Sequence, residues 1–354
     1  MVTEQEVKNK LIRTNNNMDV VRYFLAMTVL VSHYNDLAGT SFPLPLINVN
    51  VAVASFFTLS GFLMFDSYHK HPRLKKYLEL RARRILPPYF FIVIVCAIGL
   101  SAISTLSVAE YFTSGQWWKY LIANLSFMNF IQPDLPGVFQ GGQMMTASVN
   151  GSLWTMKVEW FLYLSVPVVS WIIYRIHKLA RARDAVIWTI IILSIAYRIG
   201  FNYLYETTGR NIFDILSRQF CGQLSFFYVG ALIRLYLRQF LSYSKSIAAG
   251  IVVLWSIIYL IPDSYLLLSP FVFSALVMWV SMIGNWGGRI SRHDNVSYDM
   301  YLFHYPIIQL AVWYGVREWN PWAGLATVTI ITVAASFMSW NLVGRRFVPS
   351  GKRP

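Results

Sequence analysis

Ten stretches of the chain are mostly apolar, and each is about as long as a bilayer is thick. They run roughly over 18–37, 48–67, 85–105, 152–174, 185–204, 217–236, 246–262, 266–284, 297–316 and 322–343. About 20 apolar residues wound as a helix cross the hydrocarbon core. The pattern therefore predicts an all-α polytopic membrane protein of about ten transmembrane helices, with a polar segment 1–17 before them and a basic tail 344–354 after them. A further stretch near 117–131 is shorter and carries Lys119, Asn124 and Asn129.

Composition supports this reading. Of 354 residues, 56% are apolar and 13% charged, against about 25% charged in an average soluble protein. Intrinsic disorder and an ordinary cytosolic enzyme are excluded. The net charge of +14 would suit nucleic acid in a polar chain, but here the cations lie between apolar runs and act as topology signals. With ten spans and a cytoplasmic N-terminus, 23 of the thirty cations fall inside. Three (Lys119, Arg210, Arg317) fall outside, and four (Arg22, Lys157, Arg198, Arg218) lie within or beside spans. A crossing at 117–131 would reverse every later loop against the positive-inside rule. Residues 106–150 thus read as one long external segment with a re-entrant or interfacial helix, followed by "QPDLPGVFQGGQ". Both termini are expected in the cytoplasm and the chain in a bacterial cytoplasmic (inner) membrane. Cys96 and Cys221 sit in apolar runs, so neither a disulfide framework nor a Cys-based metal site is expected. No cleavable signal peptide is expected.

Charge in the hydrocarbon costs about 2.5–3.5 kcal/mol on insertion scales, which makes buried ionisable groups functional candidates. The first span, "MDVVRYFLAMTVLVSHYNDL", places Asp19 and Arg22 three apart on one face. His33 follows Arg22 by eleven residues, on the same face and ~16 Å further across. Alone, Asp19 and Arg22 also fit a topology pair, and a single His also fits a core hydrogen bond. The fourth span, "GSLWTMKVEWFLY", brings Glu159 to a depth similar to His33, with Lys157 nearer the surface. A carboxylate beside an imidazole can orient a general base. In "NVSYDMYLFHYPI", Ser297, Tyr301 and His304 share a face and Asp299 takes another. Arg81, Arg83 and Arg84 open the third span, where they fit a stop signal or a phosphate clamp.

These residues, taken in order, resemble the membrane acyltransferase family 3, bacterial enzymes that acylate surface carbohydrates. The resemblance rests on Asp19-x-x-Arg22 with ten residues between Arg22 and His33, "FFTLSGFLM", and Arg81-x-x-Arg84 with "RRILPPYF". It is completed by "GSLWTMKVEWFLY" and "SYDMYLFHYPI", so that the matches extend from residue 19 to residue 306. It implies transfer of an acyl group, most often acetyl, from acyl-CoA to a sugar hydroxyl of a surface polysaccharide, lipopolysaccharide or similar glycan, itself sometimes lipid-linked. It implies His33 as the catalytic histidine, Arg22 as its motif partner, and Arg81 and Arg84 as linked to the donor. Some members carry an appended soluble hydrolase-like domain. With the tail ending at Pro354, transfer is expected within the membrane domain.

The expected mechanism places Arg81, Arg83 and Arg84 on the nucleotide phosphates of acetyl-CoA or another acyl-CoA at the inner face. An extended pantetheine arm, on the order of 15–20 Å, matches the ~16 Å from Arg22 to His33. It would thread past Asp19, Arg22, Tyr301 and His304, and His33 oriented by Glu159 would deprotonate the sugar hydroxyl. A covalent acyl-histidine is the alternative course. Ser60, Asn50, Trp154 and Lys157 are candidate oxyanion donors. Trp117 and Trp118 suit stacking on sugar rings or anchoring at the interface. The expected partners are acyl-CoA, the glycan acceptor and membrane lipids, with no nucleic acid and no metal. A glycan or lipid-linked intermediate transporter or flippase is the rival reading, although no clear internal repeat is visible.

Overall fold

The computed structural model describes residues 2–43, 48–70, 72–141, 144–176 and 181–348. The end of the basic tail, Lys178 and His71 lie outside the described residues. The fold is all-helical, with no strand among the described residues. Helices occupy each of the ten expected apolar stretches: α1 (Met18–Ala38), α2 (Val49–Lys70), α3 (Leu74–Gly99), α4 (Trp154–Arg175), α5 (Ala182–Thr208), α6 (Phe220–Leu235), α7 (Ser244–Leu260), α8 (Tyr265–Met282), α9 (Ser297–Trp313) and α10 (Pro321–Ser339).

Among the described residues, five segments are long and apolar enough to cross a bilayer: Leu74–Ile103, Gly151–Arg175, Ala182–Thr208, Pro262–Met282 and Pro321–Phe347. Helices α6, α7 and α9 are shorter, at 16, 17 and 17 residues. Helix α1 reaches 21 residues but spends three of them on Asp19, Arg22 and Asp36.

The chain divides into two compact units, one of Met1–Leu25, Asn50–Tyr77 and Val158–His293, the other of Ala26–Val49, Leu78–Lys157 and Asp294–Pro354. Prolines inside the helices account for particular side-chain-to-backbone bonds in each. A proline lacks the N–H that would bond the carbonyl four residues back, and an apolar surrounding offers no water to replace it. In the first unit Pro167 leaves the Tyr163 carbonyl without its helical donor, and the Tyr77 hydroxyl donates to it at 3.2 Å. Pro270 does the same to Leu266, whose carbonyl accepts from the Arg198 guanidinium at 3.3 Å. Arg198 also reaches Ser269 and lies over the Phe226 ring. Close helix packing completes this unit: an added Cβ on Gly61 of α2 would lie 1.8 Å from the Phe227 carbonyl oxygen of α6, so only glycine fits.

In the second unit one apolar cluster joins α1, α9 and α10. Leu30, Tyr34, Leu37 and Ala38 of α1 pack with Tyr305, Ile308 and Val312 of α9 and Val328 of α10. The segment 106–150 of this unit holds two short helices, Val108–Thr113 and Gly115–Leu125. The expected helix near 117–131 thus ends at Leu125, and a hydrogen-bonded loop follows. Asn124, buried, donates to the carbonyls of Tyr120 and Gln132, and its own carbonyl accepts from Tyr89 of α3 at 2.6 Å. Gln116 and Gln132 both bind Asp134.

Candidate active site

The cluster that joins α1 to α9 sets two histidines side by side. His33 Nδ1 lies 2.8 Å from His304 Nε2. Their rings stack with centroids 5.0 Å apart and planes 13° from parallel. Tyr305 stands edge-on to His33, and Tyr301 meets His304 at a steep angle. His304 is fully buried, whereas His33 is half-buried.

A second contact decides where the protons lie. His304 Nδ1 is 3.2 Å from the Met300 carbonyl, one turn back on α9. A carbonyl only accepts, so this Nδ1 carries a hydrogen. In the neutral ring Nε2 is then a bare acceptor, and His33 must donate to it through Nδ1. The remaining His33 nitrogen, Nε2, is left with a free lone pair.

The chain leading into α4 is docked beside this pair. Pro306 frees the carbonyl of Leu302, and the Asn150 side-chain amide donates to it at 2.9 Å. The Asn150 carbonyl oxygen accepts from the Ser152 backbone N–H and hydroxyl, which caps the short turn Gly151–Leu153. Thr155 donates to the Ser152 carbonyl, so its oxygen is the acceptor for the Tyr301 hydroxyl at 2.9 Å. An added Cβ on Gly151 would stand 2.8 Å from the Tyr305 ring, so this glycine makes room for the tyrosine that abuts His33.

The arginines at the start of α3 separate. Arg83 is exposed and ion-paired with Glu79 at 2.7 Å. Arg81 and Arg84 are half-buried on the adjoining face. Arg84 acts electrostatically on Asp299, which is buried and accepts from Ser339 at 2.6 Å. The Tyr298 hydroxyl ties the same turn of α9 to the Ile85 carbonyl. Asp299 precedes His304 by five residues, so α9 carries the arginine contact and the histidine contact about 7–8 Å apart along its axis.

Of the sugar-facing candidates, Trp117 donates its indole N–H to the Ala97 carbonyl at 2.9 Å and packs on Phe112. Trp118 leaves 55% of its surface open. Lys157 stands 4.6 Å over the Phe130 ring, and Trp154 is half-buried at the first residue of α4.

The other named residues belong to the first unit. Asp19 is 2% exposed and pairs with both Arg22, at 3.4 Å, and Arg13. Glu159 accepts from the hydroxyls of Ser60 and Tyr163. Among the described residues no group of three or more His, Cys, Asp or Glu is arranged to hold a metal ion.

Residues 15–341 match the model of a family described as an acyltransferase domain, over nearly the whole chain. The chain is a member of that acyltransferase family. Two curated relatives are similar to it at full length. One is an O-acetyl transferase of Shigella phage Sf6, 24% identical over 94% of this chain and 96% of its own length. The other is nodulation protein 10 of Rhizobium leguminosarum bv. viciae, 25% identical over 93% of this chain and 92% of its own. No solved structure matches the acyltransferase.

In the sequence both histidines of the acyltransferase stand out as ionisable groups in apolar spans, with His304 expected on the donor path. Arg13, Asn150, Gly151 and the Ser60–Tyr163 pair around Glu159 were not given these parts. The nearest signals are Pro306, four residues after Leu302, and the polar Asn-Gly-Ser run that precedes α4.

Proposed function

We propose that this acyltransferase is a multi-pass O-acetyltransferase of a bacterial inner membrane, with ten spans and cytoplasmic termini. It moves acetyl from acetyl-CoA to a sugar hydroxyl of a cell-surface polysaccharide or lipopolysaccharide. The observation that carries this reading is the His33–His304 pair in a chain of this family, which leaves His33 Nε2 as an unprotonated base. The acetyl group is favoured because one relative is named an O-acetyl transferase.

In the reaction, the acceptor hydroxyl oxygen attacks the thioester carbonyl carbon while His33 Nε2 takes its proton. The C–S bond then breaks, the thiolate receives that proton from His33, and CoA and the sugar ester leave with His33 neutral again. A positioned base of this kind contributes typically 10²–10⁴ in rate. Arg81 and Arg84 hold the donor's phosphates, as guanidinium forks suit them. Arg83, engaged with Glu79, stands outside that clamp. Trp118 offers its open ring to a sugar face, and Trp117 anchors the external segment. Asp19 and Arg22 support the donor side, and Glu159 supports turnover from its hydroxyl pair.

The test supplies reconstituted protein with labelled acetyl-CoA and the host's surface glycan. Label enters the glycan with wild type and not with His33→Ala. If neither protein labels the glycan, both release CoA equally slowly and glycan translocation persists, the chain is a transporter.

A further inference from the structure

The contacts of His304 reach beyond the base assignment. The ring is fully buried, its Nδ1 is committed to the Met300 carbonyl, and its Nε2 faces His33 Nδ1. Neither nitrogen is left to meet an acyl-CoA or a sugar. The carbonyl belongs to the same helix, one turn away, so the orientation of the acceptor nitrogen is built into α9 itself. Tyr301, whose hydroxyl is held by Thr155, and Tyr305, seated against Gly151, flank the two rings. The stack therefore has little freedom to flip.

We propose that His304 is a positioning residue that fixes His33 in its Nδ1-protonated tautomer. This rests on the reading of His33 as the base. A free imidazole exchanges between two tautomers, and only the one with Nε2 bare can take a proton at that atom. His304 selects this form through the chain Met300 carbonyl, His304 Nδ1–H, His304 Nε2, His33 Nδ1–H. When His33 Nε2 takes the acceptor proton, the new imidazolium keeps Nδ1–H on the His304 lone pair. That charge-assisted bond strengthens as the transition state forms. Return of the proton to the leaving thiolate restores the starting pair, so His304 neither gains nor loses a proton.

Nitrogen-15 NMR on the full chain in lipid, with labelled histidine and the His33 signals assigned by their loss in His33→Asn, reads the tautomer directly. Wild type shows His33 Nδ1 protonated and Nε2 bare, and His304→Phe shows a mixture of tautomers. Turnover with acetyl-CoA gives the second readout. His304→Phe lowers kcat roughly a hundredfold, the low end of the range for a general base, with an unchanged KM for acetyl-CoA. His304→Gln, whose side-chain oxygen can accept from Nδ1, recovers most of the loss.

A protonated His33 Nε2 in resting wild type overturns the proposal, as does a raised KM with normal kcat in His304→Phe, which would make His304 a donor contact. Normal turnover in His304→Phe beside an inactive His33→Ala overturns the role of His304 alone. Normal turnover in His33→Ala overturns the base assignment and this role with it.

Discussion

The side-chain amide of Asn150 donates at 2.9 Å to the main-chain carbonyl of Leu302, the acceptor that Pro306 leaves without a helical partner. One side chain thereby closes the backbone defect of α9 and docks the turn before α4 against the histidine-bearing helix. Asn150→Ala removes this bond and the cap on the turn Gly151–Leu153, and should cost about 1–3 kcal/mol. Pro306→Ala returns an N–H to the Leu302 carbonyl, so in the double variant the cost of Asn150→Ala should shrink by about 1 kcal/mol. Thermal unfolding of the four proteins in lipid measures this. Full additivity would show that the carbonyl does not link the two residues.

Gly151→Ala places a methyl within 2.8 Å of the Tyr305 ring. The ring must move, and with it the edge that confines His33. Misplacement on the order of 1 Å can cost about a hundredfold in rate. We therefore expect kcat in Gly151→Ala to fall by more than tenfold, with the protein still present in membranes at normal abundance. A wild-type kcat would show that Tyr305 does not position the base.

Arg81, Arg83 and Arg84 lie within about one helical turn but do not share one environment. Arg84→Ala should raise the KM for acetyl-CoA about tenfold or more, as expected from loss of a charge-assisted phosphate contact worth roughly 1.5–3 kcal/mol. Arg83→Ala breaks an exposed pair with Glu79, which is worth about 0–1 kcal/mol, and should change KM far less. Initial rates against acetyl-CoA concentration separate the two, and equal effects would dissolve the distinction.

The neighbouring tryptophans should separate in the same way. Trp117→Phe loses the bond to the Ala97 carbonyl and should lower stability by about 1 kcal/mol while leaving acceptor use intact. Trp118→Ala removes an open ring and should raise the KM for the glycan with little change in unfolding. Acceptor titrations and melting curves on both variants check this, and the reverse pattern would exchange their roles.

Much of the fold was legible in the apolar pattern, because that pattern reports where a helix meets hydrocarbon. It does not report where the helix ends. Helix α3 begins at Leu74, well before the expected 85, because a helix continues through the polar turns that carry Lys75, Lys76, Glu79 and the arginines. Helix α5 likewise runs on to Thr208. The helix Gly115–Leu125 stops there because the buried Asn124 binds back to the loop instead of continuing the apolar face. His33 and His304 were both conspicuous in sequence as ionisable groups in apolar spans. Their pairing was not, since it depends on packing between residues 271 positions apart on two helices. Asn150 was harder still: its partner is a main-chain carbonyl, which no side-chain pattern records.

The role of His33 as the base for acetyl transfer to a surface sugar can be read from the sugar itself. Mass spectrometry of the surface glycan tests it in cells expressing either wild type or His33→Ala at equal membrane abundance. Wild type should add the mass of acetyl groups that mild alkali removes as esters, and His33→Ala should leave the glycan unmodified. Identical alkali-labile acetylation with His33→Ala, absent from cells lacking the protein, would contradict the account.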